Sequence, residues 1–377
     1  MSRWMSDTRV LAEQAAQYRA LAERGDLREL SRAVMLAACH NGSMTGVGDA
    51  NMELLRALPD EDRLKLSRIW ARWHADVEGD WSAEEFGRGS GYLRTELLMV
   101  ASGVARGLDE DVLAAERQEE LARLRDQYLV WSTHRIWELA DAELSAGRTP
   151  DAAVLAAFRR TGAAVNLPVF RRTGAAANGS EPGMRALLAR FPGPVLNPGE
   201  PWADAALGQA TAGGEPWQRL LGHAAPATAA APSVKWTRTA SGLLDAVGPE
   251  EVRRAVVTWF ELAGLDRTIP LLGHPHLRFD VNASLDPYNS QALRGLAWTV
   301  SLLPPRPDTT HALAGLVETA LEHRPGGVPR SAHVAEAGIV SLARIGDRAA
   351  RAELETLSGW VTHKGAASRI ARALDAL

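Results

Sequence analysis

Apolar residues recur along most of this chain at the spacing of an amphipathic helix. The pattern i, i+3, i+4, i+7, i+8 puts apolar side chains on one helix face, and it recurs within 252–263 and 354–377. Strict alternation of apolar and polar residues is scarce, and the best strand-like piece, 276–284, is short. The pattern therefore predicts an all-α protein. Its clearest example consists of Leu313, Leu316, Val317, Ala320 and Leu321.

The same periodicity divides the chain into two helical parts. It predicts N-terminal helices at 9–24, 26–40, 49–58, 60–77, 82–107 and 110–146, and a further helix opening at Thr149-Pro150-Asp151, with Thr or Pro as N-cap and first-turn residues. From 162 to 201 Gly, Pro, Asn and Ser break the pattern, as expected at a domain junction. We therefore expect an N-terminal domain (1–160), a Gly/Pro-rich connection (161–200) and a second helical domain (201–377).

The second domain carries a weak internal repeat. The tripeptide Val-Ser-Leu occurs at 300–302 and at 340–342, an offset of 40 residues. The apolar residues of the following helix also align, at an offset of 41: Leu313, Leu316 and Ala320 with Leu354, Leu357 and Val361. One helix pair every ~40 residues is the period of HEAT and armadillo repeats, which stack to bury their faces. The sequence thus predicts a HEAT/armadillo-like α-solenoid for the C-terminal half.

Composition and charge limit the class of protein and the cell compartment that we expect. The formal net charge of -4 excludes a strongly basic protein, although a local basic face remains open. A single cysteine, Cys39, excludes an internal disulfide and fits a reducing compartment. The N-terminal stretch lacks the apolar core of a secretory signal, and no run approaches ~20 apolar residues. We therefore expect a protein of the bacterial cytoplasm without a membrane span.

One segment of the chain is locally basic. The heptapeptide FRRTGAA occurs twice, at 158–164 and 170–176, and 159–190 carries a net charge of +5. The arginine pairs Arg159-Arg160 and Arg171-Arg172 could bind phosphates or a partner's carboxylates. They could equally satisfy the last carbonyls of two helices that end at the glycines.

The turn Gly326-Gly327-Val328-Pro329 has two possible roles, one structural and one in ligand binding. It could end one helix with glycine and start the next with proline. Small residues in that next helix, Gly338 among them, would let it approach a neighbour closely. The turn could also bind an anion at the start of the helix, with Arg330 beside it.

The sequence predicts no catalytic set, cofactor or metal centre. The histidines of GHPHLRFD, His274 and His276, have Asp280 nearby, but a metal site needs three or four convergent ligands at a recognised spacing. Cys39 and His40 are adjacent in sequence, and neighbours on a helix point about 100° apart. Neither group indicates chemistry.

Four segments resemble a known family. That family is the HEAT-like helical region of large bacterial proteins, often labelled WGR or MolR-like, that carry domain of unknown function 4132. The resemblance covers about 183–377 and implies a helical scaffold with no firm activity; the family's C-terminal domain would begin after Leu377, so we expect it to be absent. The segments are LNPGEPWADAAL (196–207), PWQRLLGHAAPATAAAPSVKW (216–236), NSQALRGLAW (289–298) and GGVPRSAHVAEAGIVSLARIG (326–346).

Together these features favour a non-catalytic scaffold or adaptor that binds another protein. Nucleic-acid binding by the same arginines is the first alternative, and an enzyme with a site between the two halves is the second. Reversing the charge of Arg171 and Arg172 should weaken partner capture without unfolding the protein. The residues expected at the partner or anion surface are Arg159, Arg160, Arg171, Arg172 and Arg330.

Overall fold

The fold is all-α, as the periodicity predicts. A computed structural model describes residues 8–40, 49–77, 86, 89–130, 135–164, 182–191, 194–275, 277, 279–322 and 329–377. Within these ranges the chain forms 18 α-helices and no β-strand, and Gln127 pairs with Leu272 in an isolated parallel bridge. The chain divides into two compact units.

The first unit contains most of the N-terminal helices. Its core surrounds Trp70 and Leu97, both fully buried, where α4 packs on α5 and both contact α2. Its helices are α1 (Thr8–Glu23), α2 (Leu27–His40), α3 (Asp49–Arg56), α4 (Asp60–Ala75), α5 (Ser90–Ala105), α6 (Ala114–Ala122), α7 (Trp137–Ser145) and α9 (Pro182–Ala189). Helix α8 (Ala152–Ala164) begins in this unit and ends in the second.

The prediction of one helix over 110–146 is wrong. The structure has α6 and α7 there, separated by turns and the bridge at Gln127. Tyr128, Leu129 and Val130 are buried, and the Tyr128 amide donates to the Leu272 carbonyl at 2.9 Å. These apolar residues are therefore buried in a non-helical segment, of which Asp126–Leu129 belongs to the second unit.

The second unit holds the C-terminal helices. Prolines occupy the first turn of α10, α11, α13 and α15, where the missing N–H costs nothing. Ser233 and Ser331 are side-chain N-caps of α12 and α16. The helices are α10 (Pro201–Gly213), α11 (Glu215–Ala224), α12 (Val234–Val247), α13 (Pro249–Leu262), α14 (Asn289–Val300), α15 (Pro307–Leu321), α16 (Ala332–Ile345), α17 (Arg348–Ser358) and α18 (Lys364–Ala376).

These helices contact one another in a regular order. Each of α11, α14 and α16 packs on the next member of the series α11, α14, α16, α18, and the members of α10, α13, α15, α17 do the same. Neighbours in sequence, such as α15 and α16, pack as well. Helix α14 is buried on all sides except at Gln291, and its neighbours include α11, α12, α13 and α16.

Glycine allows two of these helix contacts to be close. A Cβ built on Gly295 of α14 would lie 2.4 Å from the Ala224 carbonyl oxygen of α11, and one on Gly338 of α16 would lie 2.5 Å from Cγ2 of Val317 in α15. The expectation that small residues near 338 permit close helix packing is thereby confirmed at Gly338. No described helix is both long and apolar enough to cross a membrane.

Candidate functional site

Arg160 lies in the interior of the second unit. Its side chain is 2% exposed. The guanidinium donates from Nε to the Tyr128 carbonyl and from Nη2 to the Gln127 carbonyl, both at 2.9 Å, and Nη1 lies 3.4 Å from Oδ2 of Asp286. The predicted role of Arg160 on a partner surface is therefore wrong: this arginine holds two loop carbonyls and a buried carboxylate.

A second carboxylate, Glu200, lies beside Asp286. Its Oε1 accepts from the Asp286 backbone amide and its Oε2 from Nδ2 of Asn289, both at 2.8 Å. Asn289 also donates to the Asn197 carbonyl at 2.9 Å and accepts from the Asn197 amide at 2.8 Å. The turn before α10 and the turn before α14 are thus joined by buried polar contacts.

Arg267 completes this buried group, which we call the carboxylate cluster: Arg160, Asn197, Glu200, Arg267, Asp286 and Asn289. The Arg267 side chain is 2% exposed, with Nη1 3.7 Å from Glu200 and Nη2 3.9 Å from Asp286. Neither Nη atom has a hydrogen-bond partner among the described residues. Two arginines therefore face two carboxylates, and the cluster is neutral when all four groups are charged.

Burial decides the protonation of Glu200. It raises the pKa of Glu200 to about 7, with the nearby charge of Asp286 adding to the rise and Arg267 opposing it. Burial also lowers the pKa of Arg160, against the opposing effect of Asp286. Such shifts are typical of functional sites and also of structural ion pairs. Because donors occupy both Glu200 oxygens, the contacts favour a joint between loops over an acid–base site.

Arg159 is also turned inward. It is 8% exposed, its Nη1 donates to the Pro194 carbonyl at 2.7 Å, and its guanidinium lies 5.5 Å from the ring centre of Tyr288. Helix α8 continues past Gly162 to Ala164, so the alternative of a helix end at this glycine is wrong too. Arg159 therefore binds its own chain and does not offer a free guanidinium to a partner.

Arg330 joins three segments of the second unit. Its Nε donates to Oε2 of Glu322 at 2.9 Å, and its Nη1 donates to the carbonyls of Gly264 at 2.9 Å and Ala283 at 3.2 Å. Helix α16 begins two residues later, with Ser331 as its N-cap, so Pro329 is not in its first turn. The expected anion site at this helix start is occupied by internal contacts of Arg330.

The remaining predicted residues, Arg171 and Arg172, lie outside the described residues, as do Gly326 and Gly327. Their assignment to a partner surface stays a prediction. Across the described ranges, no group of three or more histidine, cysteine, aspartate or glutamate residues could hold a metal ion.

A second polar group lies on the C-terminal helices, and we call it the Trp–Arg cluster: His223, Trp236, Arg294, Trp298, Glu336 and Arg369. The rings of His223 and Trp236 stack at 4.6 Å, and Trp236 meets Trp298 edge-on at 5.3 Å. The guanidinium of Arg294 lies 5.8 Å from the Trp298 ring centre. The cluster therefore begins as an aromatic stack on α11, α12 and α14.

The other end of the Trp–Arg cluster is charged. Nη2 of Arg369 lies 3.5 Å from Oε2 of Glu336, and the two side chains are 26% and 23% exposed. Burial lowers the pKa of Arg294, while the charge of Glu336 opposes this shift and Arg369 adds to it. The cluster thus runs from a half-buried indole to a partly exposed ion pair on α16 and α18.

The first unit has its own buried charges. Arg117 donates from Nε to Oε1 of Glu143 at 2.6 Å and from Nη1 to the Ser102 hydroxyl at 3.0 Å, and Arg148 binds the other Glu143 oxygen at 2.8 Å. Burial alone would raise the pKa of Glu143, but hydrogen bonds from Arg148 and Arg117 hold it below the usual value. A buried network in which every charge is paired is typical of a structural role.

Sequence reasoning missed both clusters. Asn197, Glu200 and Asn289 occur in the segments LNPGEPW and NSQALRGLAW, which by sequence alone indicate only a family resemblance. The available signal is a polar residue in a Pro- or Gly-containing turn beside an apolar helix. That signal identifies candidates, but it cannot reveal that turns 86 residues apart, such as those of Glu200 and Asp286, meet in space.

Comparison of the chain with protein-family models, with curated proteins and with solved structures found no match.

Proposed function

We propose that this chain is a non-catalytic helical scaffold that binds another protein through a HEAT-like repeat formed by its C-terminal helices. The order of helix contacts supports this proposal most directly. Helices α14, α16 and α18 pack in succession, and so do α13, α15 and α17. Two such series, linked by contacts between sequence neighbours, are what stacked helix pairs produce.

The sequence repeat fits the same proposal. The first Val-Ser-Leu spans the end of α14 and the second lies within α16, and these helices pack on each other. The apolar residues aligned at an offset of 41 include Leu313 of α15 and Leu354 of α17, which are both fully buried. The aligned residues Leu313 and Leu354 therefore have equivalent burial in successive helix pairs.

The resemblance to the helical region of the proteins with domain of unknown function 4132 also belongs to this proposal. It covers the segments that form α10, α11, α14 and α16. In that setting the chain acts in the bacterial cytoplasm and supplies a surface, while its partner supplies the activity.

The inward arginines weaken the nucleic-acid alternative. A phosphate backbone is bound by several exposed cations, and affinity scales with the number of phosphates they neutralise. Arg159 and Arg160 are instead engaged by carbonyls and a carboxylate of their own chain. Of the segment's arginine pairs, only Arg171-Arg172 remains available to this hypothesis.

Affinity capture tests the proposed function. The full chain is immobilised and exposed to lysate of its host at about 0.1 M and about 0.5 M salt, which spans strong and weak screening of surface charges, with and without nuclease. We expect one stoichiometric protein that survives nuclease and high salt, and that binds again after purification. Recovery of nucleic acid alone, or of no protein, would contradict the scaffold.

Capture with the double variant Arg171→Glu, Arg172→Glu then tests the basic segment. We expect retention of the partner to fall severalfold, because reversed charges repel a partner's carboxylates. Unchanged capture by a variant with unchanged circular dichroism would remove these residues from the partner surface. The matched control is Arg254→Glu, an exposed position on α13.

A further inference from the structure

The Trp–Arg cluster concentrates unsatisfied hydrogen-bond donors. Nε1 of Trp236, Nε1 of Trp298, Nε of Arg294 and Nε of Arg369 are each buried without a hydrogen-bond partner among the described residues. Indole and guanidinium N–H groups can only donate. Buried donors of this kind cost free energy unless an acceptor reaches them. Four of them in one contiguous group therefore mark a place where hydrogen-bond acceptors of a ligand would be stabilised.

The inner side chains of the Trp–Arg cluster are buried and held in place, and its outer side chains reach the surface. Trp298 is 1% and Arg294 7% exposed; Nη2 of Arg294 is fixed by the carbonyls of Thr228, at 3.1 Å, and Ala229. Glu336 and Arg369, in contrast, are each about a quarter exposed. The inner donors are held in place by the fold, while the outer ion pair meets solvent.

The net charge of the Trp–Arg cluster indicates the chemical class of ligand that it can bind. Two arginines against one glutamate leave the cluster with a net charge of +1 when His223 is neutral. A single carboxylate matches this charge, whereas a run of phosphates would meet Glu336 and too few cations. The neutral indole donors suit main-chain carbonyls. Tryptophan and arginine are also the residues that most often dominate protein interfaces.

We propose that the Trp–Arg cluster binds an acidic peptide segment of the partner protein, one of whose carboxylates takes the place of Glu336 on Arg369. This proposal rests on the scaffold function and names its docking site. The Arg369–Glu336 contact of 3.5 Å is long for a charge-assisted hydrogen bond, so Glu336 acts as a weak internal competitor. Removing its charge should therefore tighten binding.

Peptide binding to the full chain tests the site. The probe is a fluorescein-labelled octapeptide of alternating glutamate and serine, and the control peptide has glutamine at every glutamate. Binding is measured by fluorescence anisotropy at protein concentrations up to about 1 mM, the range of weak single-motif affinities. In parallel, ¹H–¹⁵N spectra report the indole N–H signals, assigned with Trp236→Phe and Trp298→Phe. We expect the acidic peptide to shift both signals downfield and the glutamine peptide to shift neither.

Three variants make the assignment specific. Arg369→Gln should weaken binding of the acidic peptide at least tenfold, and Glu336→Gln should strengthen it about threefold, in line with the modest worth of a partly exposed pair. Arg372→Gln, on the exposed side of the same helix, should have no effect. Glu336→Gln keeps the test decisive even if Arg369→Gln perturbs α18, because tighter binding is not the result of damage.

Several results of these experiments would overturn the proposed peptide site. No binding by the wild type, equal binding of the glutamine peptide, or weaker binding by Glu336→Gln would overturn the site. Equal indole shifts with inorganic phosphate at the same concentration would replace the peptide by a free anion and also overturn it. If the captured partner still binds Arg369→Gln with unchanged affinity, the scaffold function stands and this site falls. If the peptide binds but no partner is captured, the peptide-binding site stands and the scaffold function falls.

Discussion

The pKa of a buried carboxylate in this chain depends on which hydrogen-bond donors and charges surround it. Glu143 and Glu200 are both buried glutamates of an α-helical protein, yet their pKa values move in opposite directions. Glu143 receives hydrogen bonds from Arg117 and Arg148. Glu200 has only amide donors and an arginine at 3.7 Å, so the cost of burial dominates. These opposite pKa shifts of two similar side chains are testable by titration.

The first residue-scale prediction concerns Glu200→Gln. Because the pKa of Glu200 is raised from 4.5 to about 7 in the folded chain, the folded state binds more protons than the unfolded state between these values. The contribution of Glu200 to the free energy of unfolding is therefore present in full below pH 4.5 and is lost as pH rises through 7. We expect urea unfolding at pH 5, 6 and 7 to show a steeper loss of stability in the wild type than in the variant.

Glu261→Gln, an exposed position on α13, is the control and should follow the wild type at each pH. Parallel pH profiles of the wild type and Glu200→Gln would mean that Glu200 is ionised throughout this range, and would contradict a pKa raised by burial.

The second residue-scale prediction separates a buried arginine from a surface arginine. Arg160→Met keeps the aliphatic part of the side chain but removes the guanidinium that binds the carbonyls of Gln127 and Tyr128 and pairs with Asp286. Breaking one side of a buried pair costs about 3–5 kcal/mol, measured as the free energy of unfolding in urea. Arg219→Met, at a side chain 68% exposed, should cost less than about 0.5 kcal/mol. A small effect at Arg160, with loss of partner capture, would restore its predicted surface role.

Helices were predictable where one face is apolar and the other polar. The predicted 9–24 and 26–40 correspond to Thr8–Glu23 and Leu27–His40. The error at 110–146 arose because Tyr128, Leu129 and Val130 continue the apolar pattern of α6. Their burial in a loop that pairs with Leu272 depends on residues more than 100 positions away, which local periodicity does not register.

Close helix contacts give the element-scale prediction. Gly295→Ala places a methyl group 2.4 Å from the Ala224 carbonyl oxygen and 2.6 Å from its Cα. Because both atoms are backbone, α11 and α14 must move apart, and we expect a loss of about 2–3 kcal/mol in unfolding free energy. Gly315→Ala, in α15 with open space around its Cβ position, should stabilise by about 0.5–1 kcal/mol. Equal effects of the two changes would contradict the close approach of α11 and α14.

On the scale of the whole molecule, stacked helix pairs and a single cooperative core differ in how far a local loss of stability spreads. In a stack, each pair is stabilised mainly by its neighbours, so damage at one end stays local. Leu357→Ala, in α17 where the side chain is 1% exposed, should cost about 2–5 kcal/mol. We expect faster hydrogen exchange in α15–α18 and near-normal exchange in α10 and α11. Equal loss of protection across α10–α18 would instead indicate one indivisible core.

The sequence could predict the all-α class, because helical periodicity is a local pattern, while the helix-pair period stays a prediction. It could not predict the interior position of Arg160 or the joining of Glu200 to Asp286, because these depend on contacts between distant turns. The four arginines of the FRRTGAA repeats look identical in sequence. What distinguishes Arg159 and Arg160 is the carbonyls and the carboxylate that the fold brings to them.

Hydrogen exchange of the full chain, alone and saturated with its captured partner, tests the central claim most directly, because it reports both binding and its location. We expect added protection concentrated in α11, α12, α16 and α18, the helices that carry the outer residues of the Trp–Arg cluster. Protection confined to the first unit, or no change in the second unit at saturation, would contradict a scaffold that binds through its C-terminal helices.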